Sequence, residues 1–337
     1  MGAGNGRKVR TVEFRRDSVN VFFHILTACN LSCKHCYINP NAHGTQTLPI
    51  DTIRAWMDLF AARKPSANII FLGGEPTLHP DLPLAVRHAR HCGYQSITID
   101  TNGFLFHDIL DRVTPDELDA VSFSLDGAEA CSNDRLRGKG SFDAVLQGIR
   151  KAVAAGFGTS VIFTVSSANL HELPRMPALL QSLGVDRFFI QVVGRRGKSA
   201  IETEIGQTAA DLWLDQVPRV AEEAAERGMT VTYPKVYLDP DEPFECAGKV
   251  ADNVFIFPNG RVYRCPLCED HPLHSLEIVD NRLRERPPIT ERELFELDIP
   301  EGCVMNRLIQ PGNIVYGMDG NPLHRIACCM LKQELIS

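Results

Sequence analysis

The sequence lacks the features that would place it in a membrane or outside the cell. No apolar run reaches the 18 or more residues that a transmembrane helix requires. The segment Met1–Arg16 contains glycine and arginine but no apolar core, so we expect no secretory signal peptide. Without such a signal, the 11 cysteines among the 337 residues are expected to be metal ligands in a reducing compartment, not disulfides. The sequence therefore predicts a cytoplasmic protein with no membrane partner.

Positive charge is also scarce. The formal net charge is −7, which argues against a sequence-wide electrostatic grip on nucleic acid. The basic cluster Arg195-Arg196-Gly197-Lys198 is too short to change this prediction. It fits either a solvated loop or, near the end of a strand, a contact with an anionic group of a substrate. With 44% hydrophobic residues, the chain can bury one large core, or one core plus a smaller module.

Three cysteines are the most informative feature of the chain. Cys29, Cys33 and Cys36 lie close together, directly after the apolar strand-like run Val19–Leu26. A tetrahedral structural zinc site needs four closed ligands. A [4Fe–4S] cluster held by only three thiolates instead leaves one iron open for a ligand that is not protein. The spacing therefore predicts iron–sulfur chemistry on a chelated substrate or cofactor, against the alternative of three unrelated cysteines on one loop.

This run resembles the signature of the radical S-adenosylmethionine (SAM) superfamily, Cys-x3-Cys-x-aromatic-Cys, with His35 in the aromatic place. In that family the open iron binds the amino nitrogen and carboxylate of SAM. One electron from the cluster then cleaves SAM to methionine and a 5′-deoxyadenosyl radical, which abstracts hydrogen from the substrate. The resemblance implies a [4Fe–4S] cluster on Cys29, Cys33 and Cys36, bound SAM, and an electron donor such as flavodoxin or ferredoxin.

Further short motifs extend the resemblance to residues that bind SAM. The stretch Gly73–Pro76 is similar to the family's Gly-Gly-Glu-Pro, which binds the SAM amino group. Its two glycines allow close approach of the backbone, and Glu75 supplies an anionic acceptor. Ser124 and Arg137 are candidates for the SAM carboxylate and ribose, and Gly194 for the adenine edge. The full set implied by the resemblance is Gly73, Gly74, Glu75, Pro76, Asn102, Ser124, Asp126, Arg137 and Gly194.

Residues 19–227 alternate short strand-like runs with longer helical patterns, which predicts an α/β fold with a parallel sheet and right-handed crossovers. The predicted strands are Val19–Leu26, Asn68–Leu72, Ser96–Asp100, Ala120–Leu125, Thr159–Val165 and Arg187–Val193. The predicted helices are Thr52–Ala62, Leu82–His91, Phe142–Ala155, Leu173–Ser182 and Ala209–Arg227. Six such units form part of a barrel, and the family's core is a TIM-like partial (β/α)6 barrel with its chemistry at the C-terminal strand ends. A Rossmann sheet is the rival, but no Gly-x-Gly-x-x-Gly follows the first strand.

Beyond Arg227 the chain becomes rich in cysteine and proline. Two strand-like runs flank Pro258-Asn259-Gly260, which predicts a β-hairpin. The spacing Cys246-x13-Gly260-x4-Cys265 resembles the opening of the SPASM or Twitch extension, which binds auxiliary iron–sulfur clusters. The continuation of the full SPASM pattern is missing, so we expect a smaller Twitch-like module with one auxiliary [4Fe–4S] cluster.

The ligands implied for that cluster are Cys246, Cys265, Cys268 and Cys303. Cys328 or Cys329 could replace Cys268 or Cys303. A four-thiolate zinc site is the alternative, because Cys265-x2-Cys268 has the spacing of a zinc ribbon. The resulting domain prediction is an N-terminal arm over 1–18, a radical SAM partial barrel over 19–230 and a SPASM/Twitch-like module over 231–337.

Other residues carry weaker signals. Cys92 and Cys131 are expected to be small core or loop residues. His24, on the first strand, either lines the cavity or is a satisfied core histidine.

Three functions remain open at this point. The first is radical chemistry on a small metabolite or cofactor precursor, and the second is the same chemistry on a ribosomally made peptide. The third is a non-catalytic iron–sulfur electron-transfer protein, against which the intact Glu75 and Arg137 speak. Met1–Ser18 is too short for the leader-binding domain that peptide-modifying relatives often carry, so we expect a small-molecule substrate.

Overall fold

The computed structural model describes residues 14–63, 66–269, 274–286 and 290–336, so most of the expected N-terminal arm lies outside the described residues. The strands are β1 (Val19–His24), β2 (Asn68–Leu72), β3 (Ser96–Thr101), β4 (Ala120–Ser124), β5 (Gly158–Val165), β6 (Arg187–Val192), β7 (Thr230–Pro234), β8 (Tyr237–Leu238), β9 (Asp252–Ile256), β10 (Arg261–Tyr263), β11 (Leu276–Val279), β12 (Arg282–Glu285), β13 (Arg325–Ile326) and β14 (Lys332–Leu335).

The α-helices are α1 (Pro40–His43), α2 (Ile50–Arg63), α3 (Leu82–His91), α4 (Ile109–Arg112), α5 (Ala130–Arg137), α6 (Ser141–Ala154), α7 (Met176–Leu183), α8 (Ala210–Glu226), α9 (Ala247–Val250), α10 (Glu291–Phe295) and α11 (Val304–Ile309). Short 3-10 segments cover Pro76–Leu78, Phe106–Asp108, Leu170–Arg175, Gly197–Ala200, Pro266–Cys268 and Pro311–Asn313. Among the described residues, no helix has the length and apolar character needed to cross a membrane.

Twelve strands form one sheet, in the order β12-β11-β10-β9-β1-β2-β3-β4-β5-β6-β7-β14. From β9 to β7 every pair of neighbours is parallel, whereas β10, β11, β12 and β14 are antiparallel additions at the two sides. Within the described part of the chain, β12 and β14 are the edges and the sheet does not close. The structure thus confirms the predicted α/β fold with a partial barrel.

Successive side chains along each strand point alternately to the helix-facing core and to the barrel interior. On β3, Ile97 and Ile99 are almost fully buried, while Thr98 and Asp100 line a cavity inside the barrel. The next strands are covered from outside by α6, whose Val145 and Ile149 are inaccessible to solvent. Burying an aliphatic side chain of this size contributes roughly 1.5–3 kcal/mol each, which fixes the helices against the sheet.

The predicted elements differ from the observed ones in informative places. The helix predicted over Leu173–Ser182 is divided into a 3-10 segment, Leu170–Arg175, and α7. The reason is that Pro174 and Pro177 have no backbone N–H to donate to the hydrogen bonds of a continuous helix. The predicted hairpin is present as β9–β10, but β9 also pairs parallel with β1. The sheet therefore continues across the boundary expected near residue 230, and the division into domains stays a prediction.

Candidate functional site

A cavity of about 340 Å³ lies at the C-terminal ends of the barrel strands. Most residues that the sequence predicted for the site line it: Cys29, Cys33, Cys36, Gly73, Gly74, Glu75, Asn102, Ser124, Arg137 and Gly194. Two predicted residues do not line it. Pro76 begins the 3-10 turn after β2, and Asp126 lies behind Arg137.

The cysteine loop after β1 is held by backbone groups of its neighbours. The N–H of Leu31 donates to Cys29 Sγ at 3.4 Å, and the Cys33 thiol donates to the Arg137 carbonyl at 3.6 Å. Burial raises the pKa of Cys29 to about 11, so this thiol needs a positive partner to ionise. Three thiols that open onto one cavity form a donor set that fits a [4Fe–4S] cluster with one iron left for a non-protein ligand.

The glycines after β2 bring two loops into backbone contact. A Cβ on Gly74 would lie 2.2 Å from the Ala28 carbonyl oxygen and 2.5 Å from that of Thr27. The N–H of Gly74 donates to the Leu26 carbonyl at 3.0 Å, and the N–H of Glu75 donates to that of Ala28 at 2.9 Å. Only a residue without a side chain fits at position 74, because any other residue would displace the cysteine loop.

Glu75 is 1% exposed and forms the centre of a hydrogen-bond network. Its Oε1 accepts from the Thr77 N–H at 3.1 Å, the Thr77 hydroxyl at 2.6 Å and the Thr101 hydroxyl at 2.8 Å. Its Oε2 accepts from the Asn102 N–H at 2.8 Å. Burial raises the pKa of Glu75, although these four donors oppose the rise. Asn102 also donates its side-chain amide to Asn30 Oδ1 at 2.8 Å, which connects Glu75 to the cysteine loop.

Asp126 is inaccessible to solvent and orients two site residues. Its Oδ2 accepts from Arg137 Nε at 2.5 Å and lies 3.1 Å from His35 Nε2, and its Oδ1 accepts from the Thr164 N–H at 2.7 Å. Burial alone would raise the pKa of Asp126, but Arg137 and His35 hold it well below the usual range. Asp126 is therefore a buried anion that positions Arg137 at the end of α5 and His35 beside the triad.

The basic cluster after β6 belongs to the wall of the cavity. Arg196 pairs with buried Glu269 and lies over the Tyr37 ring, with 4.7 Å between its guanidinium carbon and the ring centroid. Lys198 donates to the Ser32 hydroxyl at 2.8 Å. These cations therefore support the cysteine loop from its other side.

His24 fits both interpretations that the sequence left open. It lines the cavity, yet its Nε2 hydrogen-bonds the Tyr37 hydroxyl at 2.7 Å and its Nδ1 hydrogen-bonds the Ile256 carbonyl at 3.1 Å. Burial and the neighbouring His43 lower the pKa of His24 to about 3, so it stays neutral.

A second group of thiols surrounds a small cavity of about 20 Å³ in the C-terminal region. The cysteines that line it are Cys246, Cys265, Cys303, Cys328 and Cys329. Backbone N–H groups donate to two of them, from Ala247 to Cys328 Sγ at 3.3 Å and from Asn306 to Cys303 Sγ at 3.4 Å. Cys268 is fully buried beside Cys265 but does not line this cavity. Cys303 and Cys329 also line the large cavity, so the two sites adjoin.

The thiols of this group are not gathered as closely as the ligands of one zinc ion. With a Zn–S distance of about 2.3 Å, a tetrahedral site brings its sulfurs to within about 3.8 Å of one another. Among the described residues, no three of these thiols lie within 4.8 Å of one another.

A third group of possible ligands lies on the outer surface, where α2 and α3 pack together. Asp58 Oδ1 is 2.8 Å from His88 Nε2 and 3.2 Å from Cys92 Sγ, and the three ligand atoms lie within 4.8 Å of one another. The thiol and the imidazole already hydrogen-bond the carboxylate, so the group is satisfied without an ion. None of these three residues lines the large cavity.

The comparison with known proteins agrees with this geometry. The family model of the radical SAM superfamily matches residues 24–180, the part of the chain that carries the triad, Glu75 and Arg137. Residues 24–180 form a radical SAM domain. The chain is 31% identical over 221 residues to the Fe-coproporphyrin III synthase of Methanosarcina barkeri, over 63% of this chain and 55% of that relative's length.

Two further comparisons cover more of the chain. A protein of Saccharolobus solfataricus named "Probable GTP 3′,8-cyclase" is 26% identical over 275 residues, over 77% of this chain and 86% of that one. The structure of Streptococcus suis SuiB bound to S-adenosylmethionine superposes with a TM-score of 0.61 at 15% identity, over 88% of this chain and 66% of SuiB. At that identity the structural likeness shows the fold alone.

Sequence reasoning missed several residues of the radical SAM site. Thr77, Thr101 and Asn30 hold Glu75 and the cysteine loop in place, but single threonines and asparagines after strands give no distinctive signal. The helical segment α5, which carries Arg137, was also not predicted. Its capping residue is Glu129, which forms no side-chain cap hydrogen bond, so the usual start signal is missing.

Proposed function

We propose that this radical SAM enzyme cleaves SAM reductively and abstracts hydrogen from a small metabolite or cofactor precursor, with an auxiliary [4Fe–4S] cluster assisting oxidation or bond formation. One observation carries the proposal. The triad, Glu75 and Arg137 face one cavity whose wall also contains Cys303 and Cys329 of the C-terminal thiol group. The radical chemistry and a second electron acceptor would therefore share one substrate space.

Each residue has a role that its surroundings support. Cys29, Cys33 and Cys36 would hold the cluster, which when reduced by a donor such as flavodoxin or ferredoxin supplies the electron that cleaves SAM to the 5′-deoxyadenosyl radical. Glu75 Oε2 accepts one described hydrogen bond and retains capacity for the SAM ammonium. Arg137, fixed by Asp126, presents its remaining guanidinium donors to the SAM carboxylate or ribose. Ser124, Asn102 and Gly194 border the same space.

The auxiliary cluster would be held by Cys246, Cys265, Cys303 and a fourth thiol. Cys268, Cys328 and Cys329 compete for that place. Cys328 and Cys329 line the small cavity together with the other three, and Cys328 also accepts a hydrogen bond from the Ala247 N–H, whereas Cys268 does not line the cavity. We therefore favour Cys328 over the initially predicted Cys268.

A small-molecule substrate is supported by the names of the sequence relatives, which refer to coproporphyrin and GTP chemistry. The test is anaerobic reconstitution with iron and sulfide, reduction with dithionite, and quantification of 5′-deoxyadenosine from added SAM. We expect the wild type to release 5′-deoxyadenosine and Cys33→Ala to release none. Cys131→Ala, which changes an exposed thiol outside both sites, is the matched control.

Two outcomes would contradict the proposal. Wild-type protein with an intact triad cluster but without 5′-deoxyadenosine formation would instead indicate an electron-transfer protein. A mass change in a ribosomally made peptide encoded beside this gene, after incubation with enzyme and SAM, would contradict the small-molecule substrate.

A further inference from the structure

A row of polar side chains crosses the inner face of the barrel beneath the SAM-binding residues. Asp100 on β3 pairs in register with Ser122 on β4, which pairs with Ser160 on β5, and all three line the large cavity. Neighbouring strands lie about 4.8 Å apart, so the three side chains are adjacent. Barrel interiors are usually filled by Val, Ile and Leu. A polar row in this position is costly unless a ligand or water hydrogen-bonds to it.

The hydrogen bonds within the protein leave this row with capacity for a ligand. The Asp100 carboxylate accepts from the Ser122 hydroxyl, whereas a carboxylate can accept about four hydrogen bonds. One row deeper, the buried Thr98 hydroxyl also lines the cavity and has no partner among the described residues. Burial, with Glu75 nearby, raises the pKa of Asp100 to about 7, so a donor from a ligand would relieve an unfavourable charge.

The charged groups around the cavity indicate which groups of a ligand would bind there. Two arginines are among the described residues that line the cavity, and each is paired with a carboxylate of the protein. Arg137 pairs with Asp126, and Arg196 pairs with Glu269. Asp100 is the acidic side chain of the row, and its described hydrogen-bond partner is the Ser122 hydroxyl. An amine or a hydroxyl of a ligand would therefore find an acceptor in Asp100.

An apolar surface lies next to the row. Ser124, Ile162 and Phe189 occupy paired positions on β4, β5 and β6, and Ile162 and Phe189 line the cavity beside the row. Phe22 and Phe255, which also line the cavity, stack at 4.4 Å between ring centroids. An apolar body would therefore pack against Ile162 and Phe189 while its polar end reaches Asp100.

We propose that Asp100, Ser122 and Ser160 form the substrate subsite of this cavity, and that this subsite binds an amine or hydroxyl group of the substrate. The inference rests on the proposed function, since it assigns the substrate class of the same cavity.

The test uses three probes with the same apolar ring: benzylamine, benzyl alcohol and benzoate. Their affinities for the reconstituted holoenzyme are measured by ligand-observed NMR in the presence of SAM, at about pH 8 so that most of Asp100 is ionised. The proteins are wild type, Asp100→Asn, Ser122→Ala and the control Asp111→Asn, which removes an exposed carboxylate on α4. Circular dichroism verifies the folding of each variant.

We expect wild type to bind benzylamine at least about tenfold more tightly than benzoate, because a charge-assisted hydrogen bond forms in the first case only. Asp100→Asn should lose about tenfold in benzylamine affinity, Ser122→Ala should lose less, and Asp111→Asn should match wild type. Preferential binding of benzyl alcohol would identify a hydroxyl substrate and also support the subsite. Equal affinity for benzoate, no binding of any probe at millimolar concentration, or identical affinities in Asp100→Asn and Asp111→Asn would overturn it.

The affinity of wild type for SAM is measured on the same samples. Failure of wild type to bind or cleave SAM would contradict the proposed function, whereas a wrong probe preference with normal SAM cleavage would contradict the subsite alone.

Discussion

Replacing Asp126 by Asn should destabilise the protein more than any exposed charge removal, because Asp126 is the buried counterion of Arg137. The carboxylate has no exposed surface, and the Arg137 side chain is 9% exposed. Asparagine keeps the shape but turns amide hydrogens toward the donors of Arg137 and His35. Leaving a buried charge without its partner costs about 3–5 kcal/mol. At about 2 °C per kcal/mol for a domain of this size, the melting temperature should fall by roughly 6–10 °C.

Scanning fluorimetry at one fixed heating rate measures this change, and Asp111→Asn is the control. Asp111 pairs with Lys151 at the surface, so its loss should cost less than about 1 kcal/mol. The double variant Asp126→Asn/Arg137→Met removes both buried charges and should recover stability relative to Asp126→Asn. Equal melting temperatures in the Asp126 and Asp111 variants, or an additive double variant, would refute the reasoning.

The pH dependence gives an independent check on the same pair. A carboxylate whose pKa is depressed by folding contributes stability that is complete above its unfolded pKa and is lost as pH falls through the folded pKa. Because Arg137 and His35 depress the pKa of Asp126 despite burial, the stability difference between wild type and Asp126→Asn should stay constant from about pH 5 to 8. A difference that shrinks within this range would show that the pair is weaker than its geometry indicates.

Three further predictions concern metal and SAM binding. Anaerobically reconstituted protein should carry about eight irons per chain, and replacement of all three triad cysteines by Ala should leave about four. A colorimetric assay counts the iron, and Cys92→Ala is the control for adventitious metal bound at the surface group of Asp58, His88 and Cys92. Cys328→Ala should lose the auxiliary cluster while Cys268→Ala keeps it, and the reverse iron contents would restore Cys268 as the ligand. Glu75→Ala should keep the triad cluster, which electron paramagnetic resonance detects. It should weaken SAM binding about tenfold or more, since a hydrogen bond to a charged group contributes about 1.5–3 kcal/mol. An unchanged SAM affinity, measured by calorimetry, would remove Glu75 from the SAM site.

The sequence predicted the barrel well because its signals are local. Each of the six predicted parallel strands combines β-branched residues with a turn, and each is present in the sheet. The pairing of β9 with β1 was not predictable in the same way. It joins Val19 to Asp252 across most of the chain, and no short-range pattern specifies such a partner. The same holds for β14, which covers the edge of β7.

The candidate site was predicted as a list of residues, whereas its physical organisation required coordinates. Gly74 was expected to let the backbone approach a ligand, but its missing side chain makes room for the carbonyls of Thr27 and Ala28. Asp126 was expected to contact SAM, but it lies behind the cavity and acts on Arg137 and His35. In both cases the residue type indicated an important position, while its contacts depend on loops distant in sequence.

These contacts share one physical consequence, which is that the charged groups of the wall are oriented before any ligand binds. Asp126 fixes Arg137, Glu269 fixes Arg196, and the Thr77–Thr101–Asn102 donors fix Glu75. Charged side chains held in this way need little reorganisation when a ligand arrives, so more of the interaction energy is available for binding. Asp100 is different, because its described partner is a single serine hydroxyl. The wall thus combines charged groups that several protein contacts hold in place with Asp100, an acidic group whose described partner is one hydroxyl.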